Sequence, residues 1–232
     1  MDKKTRKKPN CGELTWQAKG SKPLKVKEVR DNYEFWEFIQ PWIRNSRSYN
    51  EMEGFIYLWV SFNAWASLAV PDLTKNHMDI YIVHSVSVDN KFKAEFEKQK
   101  KENEKFSSSL EEFVSLMPVL QVLWLKNNNV RGWGFDEDRK KYLKMVGRKN
   151  PYVTVNDNEK SMFSPACAYQ HFDIDEDIPA DWPHVMAAIY QVRCNLFHGG
   201  KAYYPEDRKF VELAYELLWG VWKSLIPRRF RE

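Results

Sequence analysis

The sequence of 232 residues has little of what several protein classes require. Its three cysteines, Cys11, Cys167 and Cys194, are odd in number and far apart, so their spacing indicates neither a disulfide framework nor a metal site. The longest apolar stretch, residues 54–70, is slightly too short to span a bilayer and includes the polar Asn63. We therefore expect no membrane span, no metal ion and no cofactor.

The N-terminus is charged and lacks the apolar core of a secretory signal. Together with the sparse cysteines, this predicts a cytoplasmic protein in a reducing compartment. The net charge of +4 permits an anionic partner without demanding one. We assign residues 1–30 to a basic, flexible segment, either a solvated end or an additional contact for phosphates, and residues 31–232 to one domain.

What the chain does contain is aromatic residues, 15% of the total with ten tryptophans, which favours a folded core. Apolar periodicity predicts an all-α bundle without internal repeats or a strand-rich block. We expect Asp31 or Asn32, and later Ser108 or Ser109, to cap helices, and Pro41 to end or kink one. The predicted helices cover residues 31–45, 51–70, further helical turns within 72–100, 108–126, 183–200 and 205–226.

Residues 127–181 lose the helical rhythm and are rich in turn formers such as asparagine, glycine and proline. This stretch is too long for a plain connection, so we predict an irregular insertion over the bundle or over a site. Residues 152–155 (YVTV) favour a short β segment within it. Pro183 suits the first turn of the helix that follows.

The most informative run is VRCNLFHGGK at residues 192–201, which places Arg193, Asn195 and His198 at the end of an apolar helix stopped by two glycines. Charges on such a helix are costly unless they are paired or used. An arginine four to six residues before a histidine also occurs by chance, so this spacing alone is weak evidence for a site. The apolar helix and the two glycines around it make the run informative. Arg193 has Tyr190 and Phe197 as neighbours on its helix face.

Two interpretations of this run stay open. In the structural one, Arg193 pairs with an acid of the insertion and His198 caps the helix end, where a histidinium ion is favoured. In the functional one, Arg193, Asn195 and His198 form part of a site. A buried Asn63 is expected to tie helices together through hydrogen bonds, with direct RNA contact as the alternative.

The block IYQVRCNLFHGGK, followed by the helix PEDRKFVELAYELLWGVW, resembles the signature region of the HEPN superfamily, and WVSFNAW resembles the first core helix of that family. The resemblance implies a small helical bundle, usually dimeric, whose two motif helices meet at the interface. Many members are metal-independent endoribonucleases of toxin–antitoxin or antiviral defence systems, whereas others only bind nucleotides or RNA. Arg193 and His198 match the motif, and Asn195 matches a polar residue between them.

One position departs from part of this family. Members partnered with a nucleotidyltransferase antitoxin often carry a tyrosine where this chain has Gly200. The hypothesis is therefore a dimeric endoribonuclease that acts on RNA, with an antitoxin or defence-system partner left open. The alternatives are a non-catalytic RNA- or nucleotide-binding module, and a structural interaction protein that uses aromatic residues such as Trp133, Phe135 and Tyr152.

Overall fold

Helices account for almost every residue of the computed structural model, which describes residues 23–49, 51–71, 79–114, 179–197 and 205–231. These ranges contain no strand, which confirms the all-α prediction. Two short 3₁₀ helices, Lys223–Leu225 and Arg228–Phe230, follow the last α-helix. The α-helices are α1 (Val26–Asp31), α2 (Tyr33–Ser48), α3 (Glu51–Ala69), α4 (Asp79–Val88), α5 (Asn90–Glu102), α6 (104–114), α7 (Trp182–Phe197) and α8 (Pro205–Trp222).

Helix α3 lies at the centre of the described helices. It packs against α2 and α8 and also contacts α1 and α4. Phe62 and Trp65 of α3 both contact Phe92 of α5 and Trp222 of α8, with ring centroids 5.6–6.4 Å apart. Aromatic pairs at such distances each add about 0.5–1.5 kcal/mol beyond the burial of their surface. This aromatic core explains why α3 is apolar on most of its faces.

The helix starts show which caps the sequence predicts and which it misses. Asn32 caps α2, and its side chain accepts the N–H of the residue three positions on at 3.1 Å, as expected. Helix α6 begins at residue 104, so the predicted start at Ser108 or Ser109 is wrong. Asn103 takes that role, because its Oδ1 accepts the backbone N–H of Phe106 at 3.2 Å.

Pro41 lies inside α2, which continues to Ser48. Of the two outcomes expected at this proline, the end of the helix does not occur. Buried side chains lie on both sides of it, Ile39 before and Ile43 after, while Pro41 itself is exposed. Packing of this apolar stripe stabilises the helix on both sides of the missing N–H, because tertiary contacts contribute most of the stability of short helices.

The bundle begins earlier in the chain than residue 31. Leu24, Val26 and Val29 are buried, and the N–H of Lys25 donates to the carbonyl of Ala69 at 2.7 Å. Residues 24–30 therefore pack with the helices, although we assigned them to a flexible segment. Three apolar residues in a polar stretch gave too little periodicity to show this.

Most of the predicted insertion, residues 127–178 with the YVTV segment, lies outside the described residues, as do residues 1–22. The helix after it starts at Trp182, with Pro183 in its first turn as predicted. The indole N–H of Trp182 donates to the carbonyl of Val86 at 3.1 Å, which joins the start of α7 to the end of α4. Within the described ranges, no helix is both long and apolar enough to cross a membrane.

The apolar residues near the C-terminus recur at helical spacing, which predicts one buried stripe that ends at Leu225. The residues of this stripe within α8 are buried, namely Phe210, Leu213, Ala214, Leu217, Leu218, Val221 and Trp222. Leu225 lies in the 3₁₀ helix that follows and is half-buried. Packing is close at Gly220, because a Cβ atom there would lie 2.6 Å from Cδ2 of Phe106. Phe106 is itself buried and packs edge-on against Phe96 at 5.7 Å, so its ring has little room to turn away.

We expect Gly220→Ala to lower the free energy of unfolding by about 1 kcal/mol, because overpacking outweighs the gain in helix propensity. In a Phe106→Ala background the ring is gone, and the same substitution should raise that free energy by up to about 1 kcal/mol. Urea unfolding of the four proteins measures both effects. The same sign in both backgrounds would contradict the packing that the structure shows.

Candidate functional site

Arg193 lies one turn before the end of α7 and is paired with an acid from another helix. Its Nη2 is 2.5 Å from Oδ2 of Asp79, the first residue of α4. The two side chains are 19% and 27% exposed, so the pair is largely withdrawn from water. The structural interpretation expected an acid of the insertion as the partner. The structure places an acid of α4 there instead.

Aromatic rings surround the guanidinium of Arg193. Its central carbon lies 4.8 Å from the ring centroid of Phe197, 6.0 Å from that of Tyr190 and 5.9 Å from that of Trp59 on α3. Tyr190 lies three residues before Arg193 and Phe197 four residues after it, as helical spacing predicts. A guanidinium beside such rings gains about 0.5–2 kcal/mol per favourable contact, depending on its exposure.

Some polar side-chain atoms of α3 and α7 are buried without a partner. Nε of Arg193, Nε1 of Trp59 and Oδ1 of Asn63 have no hydrogen bond among the residues that the structure describes. Each such atom costs about 1–3 kcal/mol when it is left unpaired. The interhelical hydrogen bond predicted for Asn63 is not seen at this oxygen.

Tyr190 and Cys194 complete the surroundings of the arginine. Burial raises the pKa of the Tyr190 phenol, and its hydrogen bond to Cys194 and the negative charge of Asp79 raise it further, while Arg193 opposes them. The phenol therefore stays protonated at neutral pH. Cys194 is half-buried, and its Sγ lies 4.0 Å from Nη1 of Arg193.

The structure describes only part of the predicted motif. Asn195 belongs to the last turn of α7, and His198 follows outside the described residues. The two histidines within the described ranges, His84 and His184, are both buried in the core. Burial also lowers the pKa of His84, which favours its neutral form. Both are therefore core histidines. Neither follows an arginine at a spacing of four to six residues, so neither belongs to a motif like that of His198.

Asp79 is the site residue that sequence reasoning missed. No local pattern marks it, because its partner is reached only through the packing of α4 on α7.

The described residues hold no group of three or more histidine, cysteine or acidic side chains that could bind a metal ion. Comparisons of the chain with protein-family models, curated proteins and solved structures find no match.

Asp181 fixes the other end of the helix that carries Arg193. Its Oδ1 accepts the backbone N–H of His184 at 3.0 Å and lies 2.5 Å from Nδ1 of the same residue. Burial disfavours the ionised carboxylate, but the hydrogen bonds and charge of His184 outweigh burial. The pKa of Asp181 is consequently lower than the ordinary value of 3.8.

We expect Asp181→Ala to lower the free energy of unfolding by about 1 kcal/mol at pH 7, as for other lost N-caps, and Asp181→Asn to lower it less. Because the pKa of Asp181 is lowered by folding, its charge stabilises the protein above the ordinary pKa. That contribution is lost as the pH falls through the lowered value. Urea unfolding from pH 7 down to pH 3 measures this. A gap between wild type and Asp181→Asn that stays constant would contradict the role of the charge.

Proposed function

We propose that this chain is a metal-independent endoribonuclease of the HEPN type, which acts as a cytoplasmic homodimer in a prokaryotic defence or toxin–antitoxin setting. Two lines support the proposal. One is the resemblance of the run at residues 192–201 and of the flanking helices to that family. The other is the environment of Arg193, a charged and oriented side chain, 19% exposed, in the last turns of a mostly apolar helix.

The reaction uses a nucleophile that RNA already contains. The 2′-oxygen attacks the adjacent phosphorus and loses its proton to a base, while the bond from phosphorus to the 5′-oxygen breaks and that oxygen gains a proton from an acid. The products carry a 2′,3′-cyclic phosphate and a 5′-hydroxyl. His198 suits the proton transfers, because the ordinary pKa of histidine is close to neutrality.

The observation that carries the proposal is the position of the Arg193 guanidinium. Asp79 and the ring of Phe197 orient it, and its planar fork of N–H donors suits phosphate oxygens. A donor fixed in this way stabilises the negative charge that develops at phosphorus without first having to reorganise. Asn195, on the same helix, would orient the histidine or the sugar.

A dimer brings two such helices together. Phe197 is 44% exposed although it lies beside the arginine at the end of α7, and a second copy of α7 would cover this ring. Two motif helices at one interface would place two histidines at one composite site, where they can divide the roles of acid and base. The proposed unit of function is therefore the pair of helices.

The same ion pair favours a second candidate, in which Arg193 serves only the structure. An arginine neutralised by Asp79 and packed among rings stabilises the junction of α4 and α7 without any ligand. In this case the chain would be a binding or interaction protein rather than an enzyme.

We expect His198→Ala and Arg193→Ala each to reduce RNA cleavage by at least about 100-fold, since one loses the proton carrier and the other a transition-state donor. Arg193→Lys should restore little, because lysine lacks the planar fork. EDTA should leave the wild type active. The measurement is the rate at which a labelled single-stranded RNA is converted to fragments with cyclic phosphate ends.

The matched control is Arg228→Ala, which removes an exposed arginine from the 3₁₀ helix near the C-terminus and should leave the rate unchanged. Thermal unfolding and the oligomeric state of each variant are measured on the same samples. Full activity of folded His198→Ala would contradict the mechanism. Saturable RNA binding without cleavage by the wild type would favour the binding module.

A further inference from the structure

Asp79 makes the one ion pair of Arg193 within the described part of the chain. Its Oδ2 lies 2.5 Å from Nη2, and the contact joins the first residue of α4 to the end of α7. Hydrogen bonds between two charged groups are about twice as strong as neutral ones, so this contact determines where the guanidinium lies.

Asp79 engages one of the two terminal nitrogens of Arg193. Among the described residues, the other, Nη1, meets the thiol of Cys194 at 4.0 Å, which is a weak acceptor. The face of the guanidinium lies on Phe197. Nη2 uses one of its two N–H groups on Asp79, whereas neither N–H of Nη1 has a strong acceptor within the described residues, so Nη1 keeps more donor capacity for a phosphate oxygen.

The position of Asp79 is itself fixed by the packing of its helix. At the opposite end of the α4–α7 pair, the indole of Trp182 donates to the carbonyl of Val86 at 3.1 Å. The two helices therefore run antiparallel with a polar contact near each end. Asp79 stays in register with Arg193 because α4 as a whole cannot slide along α7 without breaking both contacts.

We propose that Asp79 is a positioning residue of the RNA-cleaving site, which fixes Arg193 so that Nη1 faces the scissile phosphate. This inference rests on the proposed function. A carboxylate this close to a phosphate site repels the substrate and so weakens RNA binding. Its role is consequently in the rate of cleavage and not in affinity, and its removal should change the two quantities in different directions.

The experiment compares single-turnover cleavage and binding of one labelled single-stranded RNA by full-length variants. Asp79→Ala should lower the cleavage rate constant about 10- to 100-fold, as expected for a misplaced catalytic group. Asp79→Asn keeps an oxygen that accepts from Nη2 and should recover part of that loss. The Kd for RNA should stay the same or decrease in both variants, because each removes one negative charge.

Glu216→Gln is the matched control. It removes the same charge from another interhelical ion pair, the 2.7 Å contact between Lys105 and Glu216, and should leave the cleavage rate unchanged. A wild-type rate in Asp79→Ala would overturn the proposal. A loss of RNA affinity as large as the loss of rate would also overturn it, because it would show a general disruption of the site.

A second measurement separates this proposal from the proposed function. In protein labelled at arginine with ¹³C and ¹⁵N, a guanidinium fixed by Asp79 should give separate signals for its two terminal nitrogens, since its rotation is restricted. The signals of Arg193 should merge in Asp79→Ala and stay separate in Glu216→Gln. Absence of RNA cleavage by the wild type would refute the proposed function alone, whereas signals that stay separate in Asp79→Ala would refute the positioning.

Discussion

Arg193 carries its charge among the rings of Trp59, Tyr190 and Phe197, and the carboxylate of Asp79 makes that position stable. A charge withdrawn from water without a partner costs several kcal/mol, and a hydrogen bond between charged groups returns about 1.5–3 kcal/mol. The pair therefore links the placement of α4 to that of α7. The position of Arg193 in the candidate site depends on this link.

The rest of the fold brings these two helices together. Trp182, the first residue of α7, stacks on Phe92 of α5 with ring centroids 5.7 Å apart, and Phe92 in turn contacts the aromatic core around α3. Aromatic contacts therefore hold the start of α7 against the core, and Arg193 lies near the other end of the same helix. This arrangement explains why a charged side chain is tolerated on a helix whose other residues are mostly buried and apolar.

Sequence reasoning succeeded where a local pattern determines the structure. The apolar stripe of α8, the cap at Asn32 and the stacking of Arg193 on its helical neighbours all depend on residues a few positions apart. It failed where distant packing decides, as at Asn103, whose cap gives α6 an earlier start, and at Pro41, where buried neighbours maintain the helix. Asp79 belongs to this second kind, since no spacing along the chain connects it to Arg193.

The most direct test of the account is a double-mutant cycle of Asp79→Ala and Arg193→Met, followed by urea unfolding at neutral pH. If the two side chains stabilise each other as the structure shows, each single substitution lowers the free energy of unfolding. The double substitution should then lower the free energy of unfolding by less than the sum of the two single losses, with a difference of at least about 1 kcal/mol. Costs that simply add would contradict the ion pair, and with it the orientation of Arg193 on which the account is built.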